Sequence, residues 1–191
     1  MTLTPAAPAA GAPRRPAVDL LALRVGDHYE LVDGVLVEKQ MGMCSAWVAN
    51  RIERCLAGYE CATRSGWAPG ADAGYQCCGE YGDRARRPDA SFLHRGRIPC
   101  GKLPGGHCRV GPDLTVEVSY PHDLSRVLWA KTEEYLAAGG RLVWIVDPDT
   151  RTVAAHRPDG SGAVSHAGDI LAAEDVLPGF RCPVADLFPP D

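Results

Sequence analysis

β-prone, mostly apolar residues fill positions 28–32 and 35–38, on either side of Asp33-Gly34. Asp-Gly between two such runs favours a type I′ turn, because both central residues of that turn need a positive φ. The pattern therefore predicts a β-hairpin in the N-terminal part of the chain.

Apolar residues at helical spacing follow the hairpin. They predict a helix that begins at Ser45, a good N-cap, and ends between Leu56 and Tyr59. The apolar face of this helix would consist of Val48, Ile52, Cys55, Leu56 and Tyr59.

A second helix is predicted over residues 124–138, because Asp123 can cap its start and Gly139-Gly140 can end it. It lies between two predicted strands, 114–119 and the continuous apolar run 142–146, which suits a strand buried on both faces. Strand, helix and strand form a βαβ core, so the predicted fold class is α/β (α+β), a mixed sheet flanked by helices. Further strands are expected at 88–93, at 152–156 and, shorter, around Trp67 and Tyr75.

The composition is that of an ordinary globular protein: 191 residues, 46% hydrophobic and 23% charged, with a net charge of −4. Residues 1–18 are rich in proline and alanine and predict a disordered leader, followed by a single domain over 19–191. The sequence contains neither an apolar run of membrane-spanning length nor a recognisable secretory signal. We therefore expect a cytoplasmic protein.

Eight cysteines are present without a single CxxC pair. A disulfide framework is typical of small secreted chains, so we expect free thiols, with Cys44, Cys55 and Cys61 packing as small hydrophobic side chains. A structural zinc site remains an alternative, although its spacing matches no standard ligand pattern. Its ligands would come from Cys77, Cys78, Cys100, His107 and Cys108.

Two acids lie in predicted strands, Glu117 within 114–119 and Asp89 within 88–93. Side chains alternate between the faces of a strand, so Glu117 points away from the face that carries Val116. Carboxylates from neighbouring strands can converge on a hard cation such as Mg²⁺, which polarises a phosphate and generates a hydroxide nucleophile. The alternative is that Glu117 faces water on a one-sided sheet.

Lys131 shares a helical stripe with Leu124, Leu128 and Tyr135, the spacing of a core-facing side. Its ammonium group can meet a buried acid such as Glu117 and stabilise negative charge on a reacting phosphate. Alternatively, the side chain extends to solvent along the helix surface.

Six segments occur in one order along the chain: 29–34 (YELVDG), 87–92 (RPDASF), 112–119 (PDLTVEVS), 131–139 (KTEEYLAAG), 143–148 (VWIVDP) and 177–180 (LPGF). Together they resemble the Uma-two family of restriction endonucleases, a member of the PD-(D/E)XK nuclease superfamily. The resemblance extends over residues 25–188 and implies a restriction endonuclease-like domain.

The resemblance implies that Asp89 and Glu117 are metal ligands, with Mg²⁺ or Mn²⁺ as cofactor. The superfamily pattern Glu-x-Lys is broken here, because Ser119 stands where the lysine is expected. In the family the lysine has moved to the following helix, and Lys131 matches that position. Glu30 matches an acid of the first hairpin and is a further candidate catalytic residue, unless it is simply a solvated acid on an exposed hairpin.

DNA is the expected partner, although the net charge of −4 provides no global attraction to phosphates. Between residues 84 and 109 there are seven basic residues and one acid, which favours local contact with a phosphate backbone. A solvated basic loop is the alternative. The candidate DNA-contacting residues are Arg84, Arg86, Arg87, Arg95, Arg97 and Lys102.

The sequence thus predicts a metal-dependent endonuclease that hydrolyses DNA phosphodiester bonds. Two alternatives stay open: a DNA-binding or assembly module of the same fold that has lost catalysis, and a hydrolase of other phosphoesters. A homodimer would suit an enzyme that cuts two strands.

Overall fold

A six-stranded mixed sheet forms the centre of the computed structural model, which describes residues 18–22, 29–39, 41–77, 83–120 and 125–190. Within this sheet β5 and β6 are parallel, and every other neighbouring pair is antiparallel. The strands in spatial order are β3 (Gly66–Trp67), β4 (Ala90–His94), β5 (Leu114–Val118), β6 (Leu142–Asp147), β7 (Thr152–His156) and β8 (Gly162–His166).

The parallel pair β5 and β6 is connected by helix α3 (Ser125–Ala137), which confirms the predicted βαβ core. The helix ends where Gly139 adopts a φ of +87°, a conformation that glycine adopts without steric cost. The proposed cap Asp123, together with Leu124, lies outside the described residues.

Helix α2 (Met43–Thr63) is longer than predicted at both ends, and the predicted N-cap is wrong. Gly42 occupies the cap position, while the Ser45 hydroxyl donates to the carbonyl oxygen of Ser119 at 3.1 Å. At the predicted end of this helix, the Tyr59 ring makes an edge contact with Phe92 at 5.5 Å, and the helix continues for one further turn.

The main core lies between α2 and one face of the sheet. Val48, Ile52 and Leu56 of α2 pack in one cluster with side chains from β4, β5 and β6. Two C-terminal strands that the sequence did not predict, β9 (Ile170–Ala173) and β10 (Leu177–Pro183), add their buried side chains to the same cluster.

The predicted hairpin is confirmed as β1 (Tyr29–Val32) and β2 (Val35–Glu38). Asp33 and Gly34 have φ values of +50° and +76°, as a type I′ turn requires. The hairpin is a two-stranded sheet of its own, attached to the body by backbone pairing of Leu31 with Ala85.

Several other expectations bear on the periphery of the fold. A short helix, α1 (Val18–Ala22), begins at the last residue of the predicted leader, and residues 1–17 lie outside the described part of the chain.

Trp67 lies in β3, and Tyr75 forms isolated bridges instead of a strand. Among the described cysteines, Cys55 is a partly buried free thiol, whereas Cys44 and Cys61 are exposed, so the prediction that these two pack as small hydrophobic side chains is wrong. Cys78 lies outside the described residues. Across the described ranges, no helix has the length and apolar character needed to cross a membrane.

Gly66 in β3 offers a test of this packing. A Cβ atom there would overlap the main-chain oxygen of Leu93 and would lie 2.6 Å from a ring carbon of Phe92. We expect Gly66→Ala to lower the free energy of unfolding by about 1–3 kcal/mol, because the sheet must shift to accept the methyl group. Urea denaturation measures this, with Gly96→Ala as control, since nothing lies within 4 Å of a Cβ at Gly96. Equal losses in the two variants would contradict the packing described here.

Candidate active site

Strand β5 divides its side chains between the two faces of the sheet, as its alternation predicts. Val116 and Val118 join the apolar core, while Glu117 points to the opposite face, where it contacts α3. Glu117 is only 2% exposed, so the alternative of a carboxylate facing water is wrong. Such burial is costly for a carboxylate unless cations and hydrogen-bond donors surround it.

Lys131 of α3 provides the main cation for this carboxylate. Its Nζ lies 3.0 Å from Oε2 of Glu117 and 3.3 Å from Oε2 of Glu30, and its side chain is 11% exposed. The alternative of a lysine that extends to solvent is therefore wrong. The hydroxyl of Tyr135, one turn along α3, donates to Oε1 of Glu117 at 2.9 Å.

The two partners influence each other's protonation. Burial alone would lower the pKa of Lys131, but Glu117 and Glu30 raise it, so the ammonium form is held. Burial raises the pKa of Glu117, with Asp89 and Glu30 adding to the rise, whereas Lys131 opposes it. Lys131 therefore opposes the protonation of Glu117 that burial and the neighbouring acids favour.

Glu30 reaches this cluster from the hairpin and is 3% exposed, so the interpretation as a solvated acid is wrong. It accepts hydrogen bonds from Nη1 of Arg86 and from the backbone N–H of Arg87, both at 3.0 Å. Burial alone would raise the pKa of Glu30, but Lys131, Arg86 and the Arg87 N–H outweigh it and lower the pKa to about 2.

Asp89 stands directly before β4. Continuing the β4–β5 register by one residue from the Ala90–Val116 pair places Asp89 opposite Glu117. The backbone N–H of Val118 donates to Oδ2 of Asp89 at 2.7 Å, which ties the carboxylate to the neighbouring strand. The three predicted residues Asp89, Glu117 and Lys131 thus occupy one region of the sheet face.

Lys39 is a site residue that the sequence reasoning missed. Its Nζ lies 2.7 Å from Oδ1 of Asp89 and donates to the carbonyl oxygen of Arg87 at 2.7 Å. The hairpin register contained the signal. Glu30 pairs with Val37, and continued alternation from Val37 places Lys39 on the hairpin face that carries Glu30.

The predicted DNA-contacting residues fall into two groups. Arg86 is buried between Glu30 and Glu134, and Arg84 bridges Glu134 and Asp33. Burial alone would lower the pKa of Arg86, but Glu134 and Glu30 raise it. The guanidinium groups of Arg84 and Arg86 are thus engaged in ion pairs that connect the hairpin to α3. Arg87 is also buried, and its guanidinium donates to the backbone oxygen of Asp72.

The second group lies between β4 and β5, where the chain forms two short 3₁₀ turns, Arg95–Arg97 and Pro99–Gly101. Arg95 is exposed, and its guanidinium lies 4.4 Å from the centre of the Trp67 ring. Lys102 is also exposed, whereas Nη1 of Arg97 lies 3.2 Å from Oδ1 of Asp113.

The carboxylate pair Asp89 and Glu117 fits a hard divalent cation. Mg²⁺ usually binds one or two carboxylates and keeps several of its waters. Each carboxylate already has an ammonium nitrogen at an oxygen, Lys39 at 2.7 Å from Asp89 and Lys131 at 3.0 Å from Glu117, so a divalent ion would replace or share these contacts. In the described ranges no three His, Cys, Asp or Glu side chains are grouped to hold a metal. Protein side chains alone would therefore not fill the coordination shell of an ion at this site.

The sequence over residues 17–185 matches the model of the Uma2 family, which is described as "Putative restriction endonuclease". This chain belongs to the Uma2 family. The resemblance inferred from the six sequence segments is thereby confirmed.

A solved structure supports the fold of this Uma2 protein. The crystal structure of a "putative nuclease belonging to DUF820" from Anabaena variabilis superimposes with a TM-score of 0.71 and 20% sequence identity. The match covers 91% of this chain and 97% of the other, so the predicted fold class is confirmed. No curated protein matches the sequence.

The low pKa of Glu30 predicts a specific acid sensitivity. A carboxyl with a pKa of about 2 in the folded state and 4.5 otherwise stabilises the fold above pH 4.5 and loses this effect as the pH falls towards 2. We expect the difference in unfolding free energy between wild type and Glu30→Gln to shrink by about 3 kcal/mol from pH 5 to pH 2.

Urea denaturation at stepped pH values measures that difference. Glu38→Gln, the same change at an exposed position of the hairpin, is the matched control. A wild-type advantage over Glu30→Gln that stays constant across this range would show that Glu30 is not held ionised by its neighbours.

Proposed function

We propose that this Uma2 protein is a metal-dependent endonuclease that hydrolyses DNA phosphodiester bonds with Mg²⁺, or Mn²⁺, as cofactor. The observation that carries the proposal is the convergence of Asp89 and Glu117 on one sheet face, with the Lys131 ammonium bound to Glu117. Two carboxylates beside a lysine match the needs of phosphodiester hydrolysis, a metal site and a fixed positive charge. Membership of a family described as restriction endonucleases supports the same activity.

Asp89 and Glu117 would hold the divalent ion, which when bound polarises the phosphate and lowers the pKa of a coordinated water. The hydrogen bond from Val118 orients Asp89, and the one from Tyr135 orients Glu117.

Lys131 is proposed to stabilise the negative charge that builds up on the phosphate during attack. Glu30 is proposed as a positioning residue, because its carboxylate lies 3.3 Å from Nζ of Lys131 on the side of the hairpin. Arg86 fixes Glu30 in turn, through the hydrogen bond of 3.0 Å between Nη1 and Oε2.

Contact with the DNA backbone is proposed for the exposed basic groups of the segment between β4 and β5. Arg95 and Lys102 face solvent, and Arg97 is partly exposed beside them in sequence. Arg84, Arg86 and Arg87 contribute instead to holding the hairpin and the site in place. A net charge of −4 means that such attraction is local and sensitive to salt.

The decisive experiment is cleavage of supercoiled and single-stranded DNA by the purified protein with Mg²⁺ or Mn²⁺, with Asp89→Ala as control. Nicking or linearisation that needs the metal and disappears in Asp89→Ala supports the proposal. Binding of DNA without cleavage would identify the module that has lost catalysis, and hydrolysis restricted to small phosphoesters would identify the other alternative. A homodimer and a cytoplasmic location stay predictions, tested by sedimentation and by cell fractionation.

Lys131 variants test the mechanism. We expect Lys131→Met to reduce the cleavage rate about 10²–10³-fold, because a preorganised positive charge is lost from the reacting phosphate. The variant also leaves Glu117 and Glu30 without their shared cation, so it will be less stable. Lys131→Arg separates the two effects. It keeps the charge and most of the stability, but its planar guanidinium cannot replace a compact ammonium, so its rate should also fall.

Rates are measured under saturating Mg²⁺ at a temperature where circular dichroism shows each variant folded. Arg54→Met, which removes an exposed positive charge from α2 on the other side of the sheet, is the matched control for loss of charge. A Lys131→Met enzyme with the wild-type rate would remove Lys131 from the mechanism.

A further inference from the structure

Two cysteine side chains meet on the face of the sheet opposite the acidic cluster, which consists of Glu30, Asp89 and Glu117. Cys55 of α2 and Cys182 of β10 have their Sγ atoms 3.0 Å apart. Cys182 is 2% exposed, whereas Cys55 is only partly buried. The two residues are far apart in sequence, so this contact connects the first long helix to the last strand.

The thiols are held opposite each other by contacts on both sides along α2. One turn before Cys55, Nε of Arg51 donates to the carbonyl oxygen of Asp186 at 2.9 Å. One turn after it, the hydroxyl of Tyr59 donates to the carbonyl oxygen of Pro178 at 3.3 Å. Two hydrogen bonds thus align α2 with the C-terminal segment, and the sulfur atoms need to approach by only about 1 Å to reach bonding distance.

We propose that Cys55 and Cys182 form a reversible disulfide that ties α2 to β10, with a small-molecule disulfide such as oxidised glutathione as the oxidant. The thiolate of Cys55 attacks one sulfur of the oxidant and releases one glutathione thiolate, which leaves a mixed disulfide on Cys55. Cys182 gives up its proton and attacks Sγ of Cys55, which releases the second glutathione thiolate. Two protein thiols are oxidised and one small disulfide is reduced to two thiols.

The order of these steps follows from the environment of each sulfur. The hydrogen bond between the two thiols lowers the pKa of Cys55 to about 7 despite partial burial, with the nearby Arg51 and Arg54 adding to the effect. The same hydrogen bond and burial raise the pKa of Cys182. Cys55 is therefore both the more exposed thiol and the better source of a thiolate, which makes it the first nucleophile.

This proposal is independent of the nuclease activity. Cys182 belongs to the apolar cluster that α2 forms with the sheet, and Cys55 packs against that cluster. Glu117 and Lys131 lie on the other face. Oxidation is therefore expected to change the stability of the protein while leaving the acidic cluster in place.

The test oxidises the reduced, full-length protein at low concentration with oxidised glutathione, blocks free thiols with N-ethylmaleimide, and maps peptides by mass spectrometry without reduction. We expect a peptide pair joined between Cys55 and Cys182 that dithiothreitol separates. Thermal unfolding of the oxidised protein should occur about 10 °C higher than that of the reduced protein, because the bond closes a long loop of the unfolded chain.

Two variants make the assignment specific. Cys55→Ser should abolish the shift in Tm, whereas Cys61→Ser, which removes an exposed thiol from the same helix, should keep it. Separate blocking of Cys55 and Cys182 after oxidation would overturn the proposal, as would a shift that survives in Cys55→Ser. A disulfide between Cys55 and Cys182 that forms without raising Tm would show that the bond does not stabilise the contact between α2 and β10. That result would also overturn the proposal.

Discussion

The shared ammonium group of Lys131 is the interaction on which the architecture of the site depends. It lies between Glu117 of the central sheet and Glu30 of the hairpin, and it projects from the helix that connects β5 to β6. Two buried carboxylates would repel each other and would be expensive to remove from water without it. Sheet, helix and hairpin are thus joined by one cation, and Arg86 extends the same ionic network to Glu134.

The two faces of the central sheet carry different kinds of side chain, apolar ones on one face and the charged groups of the site on the other. The face towards α2 is apolar and holds the main cluster, which includes Phe92, Val116 and Trp144. The opposite face of β5 carries Glu117, where α3 and the hairpin provide the compensating charges. Substitution of the charged groups on one face is therefore largely decoupled from packing on the other, apart from the ionic contacts that these groups make with each other.

Local sequence patterns were sufficient to predict the parts of the protein that have a standard turn sequence or residues repeating with the period of a strand or a helix. The Asp-Gly turn predicted the hairpin, and strand alternation with a helical stripe brought Glu117 and Lys131 together. Residues whose position depends on tertiary packing were not predicted. Lys39 lies one residue beyond its strand, and Arg86 was expected at a DNA surface because a basic segment carries no sign that its guanidinium turns inward. The strands after position 160 are short and their sequences give weak signals: β8 contains glycine and serine and forms by pairing with β7, whereas β9 and β10 add Leu171, Leu177 and Phe180 to the main apolar cluster.

The spacing of these residues along the chain also determines when the site can assemble. Glu30 of the hairpin contacts Arg86 across 56 residues and Lys131 across 101, and Arg86 meets Glu134 across 48. Contacts of this range form only after large loops have closed, whereas the β6–β7 and β7–β8 hairpins need short turns alone. A nascent chain that has emerged only as far as β5 contains Lys39 and Arg86, the partners of Asp89 and Glu30, but lacks Lys131, the cation that contacts Glu117. The acidic cluster therefore reaches its final arrangement late, once α3 has been synthesised and has packed against the sheet.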